Sequence, residues 1–140
     1  MPNQPENPAD TLQTQQQIKN RQHFYFLGRK EEETGNVEAA IDAYRQYSGY
    51  LQPEDQHIPH QWIARLYAHL GDFENEASHR VQFAEGCSDQ KAAEEYKKAG
   101  QCYEEKVGDM DKALECYQRA VERSSSIGLK KKIQQLQEAQ

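Results

Sequence analysis

Gly108-Asp109-Met110-Asp111-Lys112-Ala113-Leu114-Glu115-Cys116-Tyr117-Gln118-Arg119-Ala120 reads as a sharp turn followed by a helix. Gly108 suits a left-handed position at the end of a preceding helix, and Asp109 suits the N-cap of the next. Ala113, Tyr117 and Ala120 recur at i, i+4 and i+7, which is one face of a helix. The two alanines let another helix come close, and the tyrosine ring fills the space between layers. Upstream, Tyr96, Ala99, Gly100 and Tyr103 share one face of an earlier helical run. The two runs make a helix-turn-helix unit of about 34 residues.

The unit recurs. Gly35-Asn36 precedes Ala40, Ile41 and Tyr44, and Gly71-Asp72 precedes Ala77, Val81 and Ala84. The three turn glycines, Gly35, Gly71 and Gly108, are spaced 36 and 37 residues apart. A fixed period in this range signals a helical solenoid.

Composition agrees. In a chain of 140 residues, apolar types make up 36% and mean hydropathy is -1.11. That favours thin helical layers, each touching only its neighbours, over one thick core. Glu, Gln, Lys and Ala are abundant, which favours helix throughout. A net charge of -6 argues against general nucleic-acid binding. No apolar run is long enough to span a membrane, and Met1 to Gln17 lacks the apolar centre of a signal peptide. Cys87, Cys102 and Cys116 form no CxxC pair, so free thiols in a reducing cytoplasm are expected.

Along the chain, residues 1–13 read as a flexible, Pro-rich tail. A first helix starts between residues 11 and 18 and ends near Thr34, with Phe24, Phe26 and Leu27 as its apolar cluster and Gly28 as a close-approach point. Three units follow, at about 18–52, 53–87 and 88–123. A helix is expected over about 37–50. Pro59 stands in the first turn of a helix carrying Trp62, Ile63, Leu66, Tyr67 and Leu70. Further helices are expected over about 73–85, 89–106 and 110–124. Residues 124–128 read as a linker. A last segment, 129–140, places Leu129, Ile133 and Leu136 on one narrow stripe, as a helix capping an open end would.

These residues resemble the tetratricopeptide repeat. The first unit supplies Phe24, Leu27-Gly28, Gly35-Asn36, Ala40 and Tyr44, with Glu31 and Tyr47 replacing a Tyr and an Ala of the pattern. The second supplies Ile63-Ala64, Tyr67, Gly71-Asp72, Ala77 and Ala84, and needs one extra residue between Asp72 and Ala77. The third supplies Tyr96, Ala99-Gly100, Tyr103, Gly108-Asp109, Ala113, Tyr117 and Ala120, with one extra residue before Gly108. The resemblance spans roughly residues 20–123. It implies an all-α, right-handed solenoid of three helix-turn-helix repeats with a C-terminal capping helix. Its concave surface, lined by the first helix of each pair, would bind a peptide or helix of a partner.

Projected onto the sequence, that concave side receives Gln22, Tyr25, Arg29, Gln61, Arg65, His69, Lys97 and Gln101. The set is mildly basic within an acidic protein and would attract an acidic or extended segment. Solvated helix surface is the plain alternative, and Glu32, Glu33, Glu104 and Glu105 dilute the charge. Some members of the family hold acidic chaperone tails through a carboxylate clamp. The corresponding positions read Tyr25, Arg29, Trp62, Glu94 and Lys98, so that pattern is not kept.

Other constellations are thin. His57 and His60 lack the further ligand a metal site needs. Cys102 and Cys116 read as small packing residues rather than a redox pair. Ser124 to Ser126 have no local base, and there is no glycine-rich phosphate loop. Trp62 suits a partner anchor and inter-repeat packing equally. The expectation is a non-enzymatic, cytoplasmic scaffold or adaptor that binds another protein and needs no cofactor. The alternative is a small chaperone holding an extended client, resembling bacterial secretion chaperones.

Overall fold

The computed structural model describes residues 8–140. Seven α-helices run through it: α1 (Pro8–Glu33), α2 (Val37–Gly49), α3 (Ile58–His69), α4 (Phe73–Gly86), α5 (Asp89–Cys102), α6 (Met110–Arg123) and α7 (Lys130–Glu138). No strand occurs among the described residues. The helices stack as three antiparallel pairs, α1–α2, α3–α4 and α5–α6, and α7 packs on α6. The protein is an all-α solenoid of helix-turn-helix units.

Turn chemistry sets the pairing. Gly35, Gly71 and Gly108 have φ of 81°, 73° and 80°, a region open to glycine at little cost. After each, Asn36, Asp72 or Asp109 opens the next helix. Asp72 accepts from the Asn75 N–H at 3.3 Å and Asp109 from the Lys112 N–H at 3.0 Å, as N-caps do. Asn36 instead donates its side-chain amide to Glu31 at 2.8 Å.

The helix expected over 89–106 is interrupted. After Cys102 the backbone widens into a π turn, Tyr103–Val107. The equivalent Asn36, Asp72 and Asp109 N–H groups bond to the carbonyls of Glu31, Tyr67 and Tyr103. Only in the third unit are five residues enclosed between those two positions rather than four. The extra residue before Gly108 is therefore absorbed as a π bulge, the usual fate of a single insertion in a helix.

The second unit holds no such insertion. Glu76 N–H bonds to the Asp72 carbonyl just as Ala40 bonds to Asn36 and Ala113 to Asp109. The turns are in register, so Glu76 occupies the slot of Ala40 and Ala113, and Arg80 that of Tyr44 and Tyr117. Ala77 therefore stands one position past the alanine slot, and no extra residue separates it from Asp72. The small-residue rule explains the neighbouring change: a Cβ at Gly100 would lie 2.6 Å from the Tyr117 ring, and one at Gly28 would likewise meet Tyr44. With Arg80 in the tyrosine slot, the matching position tolerates Ala64.

Two clusters make the core. One holds Ala40, Ile41, Tyr44, Ile63 and Leu66; the other runs from Ala77 through Tyr96, Tyr103 and Tyr117 to Leu129 and Leu136. The expected stripe on α7 is inward: Leu129 and Leu136 are buried and Ile133 packs beside them. The segment 124–128, expected as a linker, contains a 3-10 turn, Ser125–Ile127, with Ile127 against the core.

A flexible tail is expected over residues 1–13. Residues 1–7 lie outside the described residues, but α1 already begins at Pro8. Proline is well tolerated at a first helical position, where its missing N–H costs nothing. Leu12 to Lys19 are exposed, so this stretch is helical by propensity rather than by burial.

Candidate functional site

An open cleft of about 470 Å³ lies between the first two units, lined by Tyr25, Arg29, Glu32 and Glu33 of α1, Tyr44 of α2, and Trp62 and Arg65 of α3. Helical spacing puts Tyr25, Arg29 and Glu32 on one face of α1. Trp62 and Arg65 sit on facing positions of α3.

Aromatic rings form the wall. Trp62 lies 5.3 Å from the Tyr44 ring, 6.0 Å from Tyr47 and 6.1 Å from Tyr25. It is half-buried, so its ring packs between units and one side lines the cleft.

Polar groups form the floor. The Arg65 guanidinium donates to Glu32 at 2.7 Å, and the Tyr44 hydroxyl donates to the other oxygen of that carboxylate. Burial, then the Glu32 hydrogen bond, push the Tyr44 hydroxyl pKa up, so it remains a donor. Arg29 donates to the Tyr25 hydroxyl at 3.1 Å and is otherwise exposed. One guanidinium of the cleft is thus already paired with a carboxylate, and the other is held by a neutral phenol.

Of the residues expected on the concave side, Tyr25, Arg29 and Arg65 share this cleft. Gln22, Gln61 and His69 are exposed on α1 and α3 outside its lining, and Lys97 is half-buried on α5. Gln101 lines a separate cleft of about 200 Å³ with Glu76, Arg80, Lys98, Cys102, Glu105 and Lys106. Elsewhere on α5 the buried Glu95 carboxylate is met by Lys91 and Lys98, each at 3.3 Å, and by Arg80 of α4 at 3.9 Å. Three of the eight thus line this cleft and Gln101 lines another. Glu32, Glu33, Tyr44 and Trp62 are the cleft residues that projection from the repeat does not contain. Glu32 was visible as a carboxylate on α1, but its partner is 33 positions away.

The histidines pair differently from the sequence spacing. His60 meets His79 of α4, Nδ1 to Nδ1 at 2.9 Å, while His57 stacks on Phe83 at 5.7 Å. Burial, the partner imidazole and Arg45 hold His79 down to about 4. Burial, with Arg45 and His57, lowers His60 as well. Among the described residues no group of three or more His, Cys, Asp or Glu side chains is placed to hold a metal ion. Cys102 and Cys116 are free, buried thiols, pushed up to about 11 and 12 chiefly by burial. No described helix is long and apolar enough to cross a membrane.

Residues 96–126 match the family model of the tetratricopeptide repeat, so the chain carries one such repeat across α5, the π turn and α6. No curated protein matches the chain.

Proposed function

We propose that this tetratricopeptide-repeat chain is a scaffold or adaptor that holds an extended segment of a partner protein in the cleft between α1 and α3. A repeat of this kind supports a protein-interaction role in general. The observation that carries the finer reading is the joining of Tyr25, Arg29, Trp62 and Arg65, from two successive units, around one open cleft. Aromatic walls and a guanidinium are groups that dominate protein-binding hot spots. The segment chosen is one with a carboxylate for Arg29 and an aromatic or aliphatic side chain for the Tyr25–Trp62 wall. Glu32 and Glu33 narrow that choice. A run of many acidic residues would meet them, whereas a single acidic residue beside an apolar one would not.

The test is capture of partners on immobilised wild-type chain and on the Arg29→Glu variant, identified by mass spectrometry. Arg29 is exposed and bonds only to Tyr25 within its own helix, so the change leaves the fold intact. A partner lost from the variant supports the reading. Equal recovery of every partner on both chains refutes it.

A further inference from the structure

The two ends of the stack are finished differently. At one end α7 turns Leu129 and Leu136 inward and leaves Lys130 and Lys131 in water. At the other, the outer face of α1 is uncovered among the described residues.

Register shows what that face is built to meet. Counted from Gly28, Ala64 and Gly100, Phe26 is equivalent to Trp62 and Lys98, and Lys30 to Leu66 and Cys102. Trp62 packs on Tyr44 and Tyr47 of α2, and Leu66 is buried with Ala40 and Ile41. Cys102 donates its thiol to the Phe73 carbonyl of α4 at 3.4 Å. Trp62, Leu66 and Cys102 thus meet the helix before their own, whereas Lys98 bonds to Glu95 within α5. On α1 the same positions are open: Phe26 is 66% exposed, and His23 and Lys30 are exposed.

Charge marks the same helix. The cations lie in its middle: from Thr11 to Lys30 the sequence has Lys19, Arg21, Arg29 and Lys30 and no carboxylate, with Asp10 before this run and Glu31 to Glu33 after it. Lys19, Arg21 and Lys30 enter no ion pair among the described residues.

We propose that the outer face of α1 is a second docking surface, which receives an amphipathic helix with acidic flanks from a partner protein. The incoming helix takes the place on α1 that α2 takes on α3, with an apolar side chain over Phe26 and carboxylates at Lys19 and Lys30. A helix is indicated because the equivalent faces of α3 and α5 each receive one. Acidic flanks follow from complementarity to the unpaired cations. A second copy of this chain is disfavoured by the same charges. Two α1 faces would set cations against cations, and α7 on α1 would bring Lys130 and Lys131 to Lys19 and Lys30.

The test uses the full chain, labelled for NMR, and a synthetic 18-residue helical peptide with Leu and Tyr along one stripe and Glu on both flanks. A second peptide carries Lys in place of every Glu. The expected result is binding of the acidic peptide alone, weakening as salt rises, with shifts centred on His23, Phe26 and Lys30. Phe26→Ser and Lys19→Glu/Lys30→Glu should each weaken it at least tenfold. Both variants alter exposed side chains, and circular dichroism checks that they stay folded. Each of these outcomes would overturn the proposal: no binding of the acidic peptide, equal binding of the lysine peptide, shifts confined to the α1–α3 cleft, or peptide-free self-association abolished by Phe26→Ser. Binding of phosphatidylserine vesicles with the same Phe26 dependence, in place of the acidic peptide, would assign the face to a membrane surface instead.

Discussion

The Tyr117 hydroxyl donates to one oxygen of Glu104 at 2.8 Å, and Lys132 of α7 reaches the other oxygen at 3.1 Å. The first unit repeats the arrangement with Tyr44, Glu32 and Arg65. Each triad ties three helices: the two of one pair and the first of the next. By this criterion α7 stands as the opening helix of a fourth unit. Tyr117→Phe should remove a hydrogen bond to a charged group and cost about 1.5 kcal/mol or more. Lys132→Met, at a half-exposed pair, should cost under about 1 kcal/mol. Urea unfolding of both variants checks this. A Tyr117→Phe midpoint equal to wild type would show that the triad contributes nothing.

Gly100 is required by the ring it faces. In Gly100→Ala the new methyl would meet Tyr117 at 2.6 Å. Overpacking of this kind costs about 1–3 kcal/mol, against a gain of about 1 kcal/mol in helix propensity. A net loss of stability is expected, and it should shrink or reverse when Tyr117→Leu is made first. Thermal unfolding of the four chains of this cycle gives the coupling; strict additivity would contradict the packing argument.

The His60–His79 pair makes stability sensitive to acid. Both pKa values are lowered in the fold, His79 to about 4 from an ordinary 6.5. The neutral imidazoles are the folded form, so their contribution is complete above about pH 6.5. Between pH 6.5 and 4 the unfolded chain binds more protons, and stability falls as pH drops. Arg45, Tyr67 and His57 surround the pair, and no carboxylate is among its hydrogen-bonding, stacking or electrostatic partners. In His79→Phe the melting temperature should fall less between pH 6.5 and 4.5 than in wild type. An unchanged slope would place the acid sensitivity elsewhere.

At the junction of α4 and α5, Arg80 lies 2.9 Å from Glu76 and 3.9 Å from Glu95, whose side chains are 9% and 5% exposed. Removing Arg80 alone strands the buried Glu76 carboxylate, at a cost of about 3 kcal/mol, while Lys91 and Lys98 still meet Glu95. The pair Glu76→Ala/Arg80→Leu restores a small residue at the slot of Ala40 and Ala113, and should be the more stable of the two variants. Denaturant midpoints decide it: a double variant less stable than Arg80→Leu would mean that Glu76 stabilises the fold without its partner.

Much of this fold was legible because its determinants are local. Gly35, Gly71 and Gly108 show themselves by spacing, Tyr44 and Tyr117 by their distance from those turns, and the surplus residue before Gly108 by the same count, though not the π bulge that absorbs it. Three features were not. Leu12 to Lys19 form exposed helix, so no apolar face marks the early turns of α1. Glu76 and Arg80 hide the register of the second unit, because a buried Ala is a stronger sequence signal than a charge in an alanine slot. The third was the neutralisation of Arg65 by Glu32 and the meeting of His60 with His79. Those contacts depend on the separation of helices, which periodicity does not contain. The candidate cleft was accordingly half legible: Tyr25, Arg29 and Arg65 followed from the repeat, while Glu32 and the packing of Trp62 required the structure.

Trp62 is the sole tryptophan of the chain and lines the cleft, so its fluorescence reports directly on occupancy. The most direct measurement is titration of wild type and Arg29→Glu with a short extended peptide that places one Asp beside Phe. Filling of the cleft should change the Trp62 emission of wild type in a saturable way, with affinity at least fivefold weaker for Arg29→Glu. No emission change in wild type, or identical curves for the two chains, would contradict binding between α1 and α3.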